Sequence, residues 1–295
     1  MTTRCGYVAL LGRPNAGKST LLNQAIGAKV SIVTPKAQTT RFRISGIVMR
    51  GGDQIVLVDT PGIFAPKRRL DRAMVAAAWE GVAGADLACL IVDAAKADPD
   101  DLAEPIEALA ATGRPRWLIL NKIDLLPRDK LLPLAETLAR QGGFAEVFMI
   151  SALKRDGVDR LLDALAAAMP EGPHLYPEDE LTDQTERMLA AELVREQIFL
   201  QLRDEVPYGA SVETESFSER KDGSVRIDVT VYVARAGHKK IVLGEGGARI
   251  KSIGSRARRD LERQLERRVH LFLNVKERPG WDEEAARLRA LGLDG

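Results

Sequence analysis

Eight residues near the start of the chain have the types and spacing of a phosphate cradle. Gly12-Arg13-Pro14-Asn15-Ala16-Gly17-Lys18-Ser19 fits G-x-x-x-x-G-K-[ST], follows the apolar run Tyr7–Leu11 and opens a helix-like stretch. Glycines there let backbone N–H groups turn towards phosphate oxygens, and a helix starting near Lys18 adds the positive end of its dipole. Lys18 supplies a point charge to the β- and γ-phosphates, the Ser19 hydroxyl is a Mg²⁺ ligand, and Thr20 completes the nucleotide-binding run. Taken alone, the pattern says only nucleoside triphosphate.

Two further segments narrow the base. Asp59-Thr60-Pro61-Gly62-Ile63 follows the apolar run Ile55–Val58, and an acid at the end of a parallel strand faces the same crevice. Asp59 is expected to hold Mg²⁺ through water and the Gly62 N–H to touch the γ-phosphate, with Thr60, Pro61 and Ile63 beside them. Asn121-Lys122-Ile123-Asp124 follows Trp117–Leu120. A carboxylate at Asp124 can accept from both N1–H and the 2-amino group of guanine; adenine would leave it unpaired at a cost of ~1–3 kcal/mol. Asn121 is expected to brace this loop and reach the base, and Lys122 to cover the base with its stem. Ser151-Ala152, after Val147–Ile150, supplies a backbone N–H for the guanine carbonyl. These readings point to guanine.

The elements that position these residues follow from texture. Short, uniformly apolar runs at Tyr7–Leu11, Ile55–Val58, Leu87–Val92, Trp117–Leu120 and Val147–Ile150 suit parallel strands covered on both faces. Ala/Leu-rich stretches between them, such as Arg72–Ala83, Asp101–Ala111 and Asp129–Gln141, give the alternation of an α/β, doubly wound, mostly parallel sheet. Ile44–Arg50 and Gln54–Val58, joined through Gly51-Gly52-Asp53, read as an edge hairpin. The texture breaks at Pro170-Glu171-Gly172-Pro173, giving a first domain over 1–172, a linker over 173–184 and a smaller α+β domain over 185–295 that ends in a tail. In that second part the expected order is α-β-β-(turn)-α-β, with Val225, Ile227, Val229, Val231 and Val233 sharing one strand face. Two cysteines, Cys5 and Cys89, make no disulfide framework and fit a reducing compartment. No secretory signal or transmembrane run is evident.

The five nucleotide elements resemble the signature of the translation-factor-like GTPases. Within that class Lys36-Ala37-Gln38-Thr39-Thr40-Arg41 looks like the effector loop of the Era and TrmE group. The resemblance implies that Thr40 closes on Mg²⁺ and the γ-phosphate, with Thr39 as the fallback. Ile63 stands where Ras-type enzymes orient water with Gln, so backbone groups, Thr40 or a second cation must do this. Asn15 matches the position at which some relatives help bind K⁺, making K⁺ a further cofactor beside GTP/GDP and Mg²⁺. Arg13 and Arg41 are candidate fingers in cis, weighed against solvated loop residues. Slow intrinsic turnover is expected.

The formal net charge is +1, from 43 Lys+Arg against 42 Asp+Glu, yet residues 235–278 carry a local excess of eight positive charges. Inside that block Gly244-Glu245-Gly246-Gly247 looks like the G-x-x-G loop of a KH domain, followed by a helix bearing Arg249, Ile250, Lys251 and Arg256. Ile250, Ile253, Ala257, Leu261 and Leu265 form its apolar stripe. Glu245 is an acid where phosphates should approach.

Over the whole chain the sequence resembles the Era family of bacterial GTPases, with a C-terminal type II KH domain. That implies a monomer that binds small-subunit ribosomal RNA near its 3′ end under GTP control, a role in ribosome assembly, and a cytoplasmic location with peripheral inner-membrane association. The alternatives are a nucleotide-switched RNA-binding factor with negligible hydrolysis and a TrmE-like tRNA-modification GTPase. The latter is disfavoured by the absence of a C-terminal Cys motif.

Overall fold

The computed structural model describes residues 2–293, so the last two residues of the expected tail lie outside the described residues. The described residues divide into two compact units: 2–31, 40–183 and 291–293 in one, 32–39 and 184–290 in the other. The segment 32–39 therefore belongs with the second unit although it lies early in the sequence.

In the first unit, strands β1 (Cys5–Leu11), β2 (Ile44–Arg50), β3 (Asp53–Asp59), β4 (Leu87–Asp93), β5 (Arg116–Asn121) and β6 (Glu146–Met149) form one sheet in the order β2-β3-β1-β4-β5-β6. Only β2 is antiparallel; it pairs β3 in the hairpin expected at Gly51-Gly52. The buried strands alternate between two cores. Val8, Leu10, Cys89 and Ile91 face α1 (Lys18–Ile26) and α5 (Val158–Ala168). Ala9, Leu11, Ala88, Leu90 and Val92 face α2 (Arg69–Ala83), α3 (Pro99–Ala111) and α4 (Arg128–Gly142). Burial on both faces is why these strands lack apolar/polar alternation. Cys5 and Cys89 are free, buried thiols.

The stretch expected as a linker lies along the hairpin. Leu175 and Tyr176 donate their N–H groups to Gln54 Oε1 at 2.9 and 3.1 Å, and Ile47 N–H donates to the Leu181 carbonyl at 2.9 Å. The Ile47 bond satisfies a donor of the otherwise open edge strand β2, and the Gln54 bonds tie the same stretch to β3 beside it.

The second unit contains α6 (Glu186–Gln201), β7 (Ala210–Glu219), β8 (Val225–Val233), α7 (Ala236–Leu243), α8 (Ala248–Leu265), β9 (Val269–Glu277) and α9 (Ala285–Ala290). β7 pairs β8 antiparallel and β8 pairs β9 parallel. Val225, Ile227, Val229, Val231 and Val233 pack with Leu193, Val194 and Ile198 of α6 and with Ile253, Ala257 and Leu261 of α8. The expected turn before the glycine loop is instead the helix α7. Its eight residues include Gly237 and bury only His238 and Val242, too little periodicity to read from the string. Trp281 is fully buried and donates its indole N–H to the Gly209 carbonyl at 3.0 Å. Among the described residues no helix is long and apolar enough to cross a membrane.

Candidate nucleotide site and nucleic-acid interface

The loop between β1 and α1 takes the cradle conformation because of its glycines. Gly12 has φ +154° and Gly17 +101°, and an added Cβ would lie 2.3 Å from the Ile91 carbonyl oxygen or 2.2 Å from Asn121 Nδ2. Only glycine fits either place. Ala16 is buried, while Arg13 and Asn15 are exposed and Asn15 has φ +64°. Lys18 is 6 % exposed and its ammonium donates to the Gly12 and Arg13 carbonyls at 3.2 and 3.3 Å. Burial pushes its pKa down, while Asp59 pulls it back up.

Beyond α1's first turn, four oxygens converge. Asp59 Oδ2 accepts from Ser19 Oγ at 2.6 Å, Ser31 Oγ at 3.0 Å and Thr40 Oγ1 at 3.2 Å, and Ser19 Oγ lies 3.0 Å from Thr40 Oγ1. Neighbouring ligands of an octahedral Mg²⁺ with bonds of ~2.0–2.1 Å lie about 2.9 Å apart, so this all-oxygen set fits that ion. Asp59 Oδ1 is buried with no hydrogen-bond partner among the described residues, a second sign that a positive group belongs beside it. Desolvation raises the Asp59 pKa; Lys18 and the three hydroxyls lower it again. Thr40, not Thr39, reaches Asp59, since Thr39 Oγ1 bonds within its own loop, 2.6 Å from Thr34 Oγ1.

Ser31 has no counterpart in the sequence reading. It is held by Asn23, whose Oδ1 accepts from the Val30 and Ser31 N–H groups at 2.9 Å each and whose Nδ2 donates to the Ser31 carbonyl at 2.7 Å. A lone serine in a loop, 28 residues before its acidic partner, carries no motif that would have revealed it.

At β3's end, Thr60 Oγ1 donates to the Leu10 carbonyl at 2.7 Å and is fully buried. Gly62 lies against Pro14, where a Cβ would approach to 2.8 Å. Ile63 donates its N–H to the Gly12 carbonyl at 3.0 Å, and its half-buried side chain packs against the apolar core. That position therefore offers no polar side chain to orient water. Thr20 lies on α1 without a role the geometry singles out.

The base-side residues are placed with one correction. Asn121 does brace the loops: Nδ2 donates to the Ala16 carbonyl at 2.8 Å, and Oδ1 accepts from the Ala152 N–H at 2.9 Å. Each end of this buried amide makes one backbone bond and keeps a second N–H and a second lone pair. The Ala152 N–H, by contrast, is a single donor already given to Asn121 Oδ1 and is not free for a guanine carbonyl, and the Ser151 N–H donates to the Asp156 carbonyl at 3.0 Å. Lys122 donates to the Asn15 carbonyl at 2.6 Å and to Asp93 Oδ2 at 2.7 Å, tying its stem across the phosphate loop. Asp124 keeps its carboxylate at the rim; the Ser151 hydroxyl foremost, then Lys154 at 3.5 Å, holds its pKa below the usual carboxylate range. Arg13 donates to Asp101 Oδ2 at 3.0 Å and its carbonyl at 2.8 Å, so α3 holds it as a structural cross-link. Arg41 is buried, which corrects its reading as a solvated loop residue.

In the second unit, Gly244 (φ +72°), Gly246 (+55°) and Gly247 (+79°) form the joint between α7 and α8. Nothing lies within 4 Å of a Cβ built on Gly246 or Gly247, so this backbone stands open beside the N-terminus of the 18-residue α8. Glu245 is exposed and Ile250 half-buried. The basic face is thinner than the charge count implies. Arg249 donates to the Gln201 carbonyl at 2.6 Å, Arg258 pairs with Glu262, Arg263 with Asp260, and Arg267 with Glu219 and Glu186. Lys251 and Arg256 are exposed and have no intramolecular partner among the described residues.

Fold and site together define a P-loop GTPase domain followed by a KH domain. The family models agree: one described as a 50S ribosome-binding GTPase matches residues 7–122, and a KH domain matches 205–282. The chain is 55% identical over 293 residues to the GTPase Era of Afipia carboxidovorans, covering 99% of this chain and 95% of that one. It is 50% identical over 306 residues to the GTPase Era of Caulobacter vibrioides, covering 99% and 97%. Among solved structures, an Aquifex aeolicus Era variant bound to GDP·AlF4⁻ superposes with a TM-score of 0.93 at 38% identity, covering 99% of this chain and all of that one. Era in complex with MgGDPNP and nucleotides 1506–1542 of 16S ribosomal RNA gives 0.93 at 37%, with the same coverage. The chain belongs to the Era family of GTPases and is a hydrolase acting on GTP.

Proposed function

We propose that this GTPase is a ribosome assembly factor: its GTP-bound state governs how the KH domain holds small-subunit ribosomal RNA near the 3′ end. The observation that supports the switch is the convergence of Ser19, Thr40 and Asp59, in which the effector-loop threonine hydrogen-bonds the serine of the phosphate loop and the acid at the end of β3. The RNA assignment is supported by the relative solved with 16S ribosomal RNA and by the open Gly246-Gly247 backbone beside Lys251 and Arg256. The domains are taken as residues 1–172 and 185–295, with 173–184 as the connection.

In this reading Gly12 through Thr20 wrap the phosphates, with Lys18 neutralising charge that builds up on the β–γ bridge as it breaks. Ser19 and Thr40 and, through water, Asp59 would hold Mg²⁺, which would supply further charge neutralisation to the phosphates. Thr40 closes over the γ-phosphate and the Gly62 N–H donates to it. Asp124 accepts from the guanine N1–H and 2-amino group, while Asn121, Lys122, Ser151 and Ala152 fix the loops around the base. Because Ile63 offers no hydrogen bond, the attacking water is positioned by backbone groups, by Thr40 or by K⁺ held near Asn15. Intrinsic turnover is therefore slow and depends on a partner.

Phosphate release with and without the ribosomal RNA 3′ segment, in Na⁺ and then K⁺ buffer, tests this directly. Acceleration by RNA or by K⁺ is expected; no response to either would favour the second reading, a switch with negligible hydrolysis, to which the apolar Ile63 also lends support. Asp124→Asn exchanges an acceptor for a donor and is expected to move preference from GTP to xanthosine triphosphate; retained GTP affinity would contradict the base pocket. The same reading makes the protein a cytoplasmic monomer that associates peripherally with the inner membrane. Light scattering and co-sedimentation with anionic vesicles check those two points.

A further inference from the structure

Between Ser31 and Thr40 the chain leaves the first unit and comes back to it. Both ends of the excursion bond the same oxygen: Ser31 and Thr40 each donate to Asp59 Oδ2. The middle, residues 32–39, is held within the second unit by α6. Ile32 joins the apolar core formed with Leu193, Val194 and Ile198. The Val33 N–H donates to Glu196 Oε1 at 3.1 Å, and the Lys36 ammonium donates to the Phe199 and Leu202 carbonyls, which the end of α6 leaves without helical partners. Arg195 Nη2 donates to the Thr39 carbonyl.

Arg195 is 3 % exposed and Glu192 4 %, so both charges are out of water. The guanidinium is fixed on two sides. Its Nε donates to Glu192 Oε1 at 2.7 Å and its Nη2 to Glu192 Oε2, while its carbon stands 5.4 Å from the centre of the Phe199 ring. A planar group held by a two-point ion pair and a ring has its remaining N–H directions fixed. The second N–H of Nη2 thereby meets the Thr39 carbonyl, while Nη1 is buried with no hydrogen-bond partner among the described residues. The carbonyl and the Thr40 N–H lie in one rigid peptide plane, so fixing the first fixes the second.

We propose that Arg195 is a positioning residue for the triphosphate state: it sets the Thr39–Thr40 peptide plane so that Thr40 can close on the metal and γ-phosphate. Glu192 orients Arg195, and Lys36 clamps the far side of the segment to the end of α6. The diphosphate state makes no use of Thr40, so it does not draw on this interaction. By linkage, anything that disturbs the Glu192–Arg195 pair weakens triphosphate binding more than diphosphate binding. This rests on the reading of Thr40 as the closing threonine.

The test uses the full-length protein with Mg²⁺ and measures affinity for GTPγS and for GDP. Arg195→Met leaves Glu192 as an unpaired buried acid and can unfold the chain, so the main variant is the double change Glu192→Gln with Arg195→Met. The expected result is GTPγS affinity lowered about tenfold with GDP affinity within about twofold of the parent, a coupling of ordinary size. Arg195→Lys, which keeps one donor, recovers part of the loss. Unchanged GTPγS affinity, or equal loss for both nucleotides, would overturn the proposal. Thr40→Ala separates the two claims. If it loses the GTPγS preference while the double variant does not, Arg195 fails and the reading of Thr40 stands. If Thr40→Ala also keeps the preference, both fall.

Discussion

At the scale of residues, the nucleotide site is a set of buried polar groups whose partners are incomplete without a ligand. Desolvation raises the Asp59 pKa and lowers that of Lys18. A raised carboxyl pKa favours the protonated form in the folded state, so that stability is present at low pH and fades as pH climbs through the folded value. The carboxylate that Mg²⁺ needs forms over that same rise. Mg²⁺-dependent tightening of GTPγS is thus expected to weaken as pH falls through the raised Asp59 value, and to vanish at every pH in Asp59→Asn. Titrations of GTPγS with and without Mg²⁺ across a pH series check this; a pH-independent Mg²⁺ effect would contradict it. Gly17→Ala drives a methyl against Asn121 at a backbone angle L-residues avoid, and is expected to weaken nucleotide binding by about tenfold or more, measured by fluorescent GDP titration. The residues legible in the sequence, from Gly12 to Ser19 and from Asn121 to Asp124, form contiguous strings whose spacing is the chemistry. Ser31, Asn23 and Asp93 were not legible, because each acts on a partner from another element. The commitment of the Ala152 N–H to Asn121 was hidden for the same reason.

At the scale of elements, signals read well where periodicity was strong. The apolar strands and the stripe Ile253, Ala257, Leu261 appear where patterning put them, with Ile250 and Leu265 half-buried at its ends. α7 was illegible because two buried positions in eight residues give no moment to detect. Helix ends offer a sharper check. Asp71 caps α2: its Oδ2 accepts from the Lys67 and Arg68 N–H groups at 3.1 Å each. Burial works against this carboxylate, but those N–H bonds and the Arg68 guanidinium outweigh it and hold the pKa below the usual value. Its contribution is present above the unfolded pKa and lost as pH falls through the folded one. Asp71→Ala is expected to cost about 1 kcal/mol, read as a lower urea midpoint at neutral pH, with the gap from the parent closing in acid. In the second unit, α8 stops at Glu266 in the left-handed region (φ +52°), and Glu266→Gly is expected to stabilise by about 0.5–1 kcal/mol in the same assay.

At the scale of the molecule, a net charge of +1 conceals a basic block over 235–278, and the structure thins that block further by pairing Arg258, Arg263 and Arg267 with acids. Lys251 and Arg256, exposed beside the glycine loop, are the charges proposed to meet RNA phosphates. Each phosphate neutralised on single-stranded RNA contributes roughly 0.7 to the slope of log affinity against log salt, so replacing both with Ala is expected to lower that slope by about 1.4, whereas Arg249→Ala moves it less. A division into two parts was legible, but the units divide at 183/184, past the proline-rich break at 170–173, and the membership of residues 32–39 in the second unit was not legible at all. That membership depends on α6 side chains some 160 positions away, and no local pattern encodes it. The central claim is that nucleotide state governs the grip on RNA. A footprint of the full-length protein on the small-subunit ribosomal RNA 3′ segment, with Mg²⁺ and either GTPγS or GDP, tests it most directly. The account predicts protection with GTPγS that differs in extent from that with GDP and is reduced in the Lys251/Arg256 double variant. Equal protection in both nucleotide states, or none in either, would contradict it.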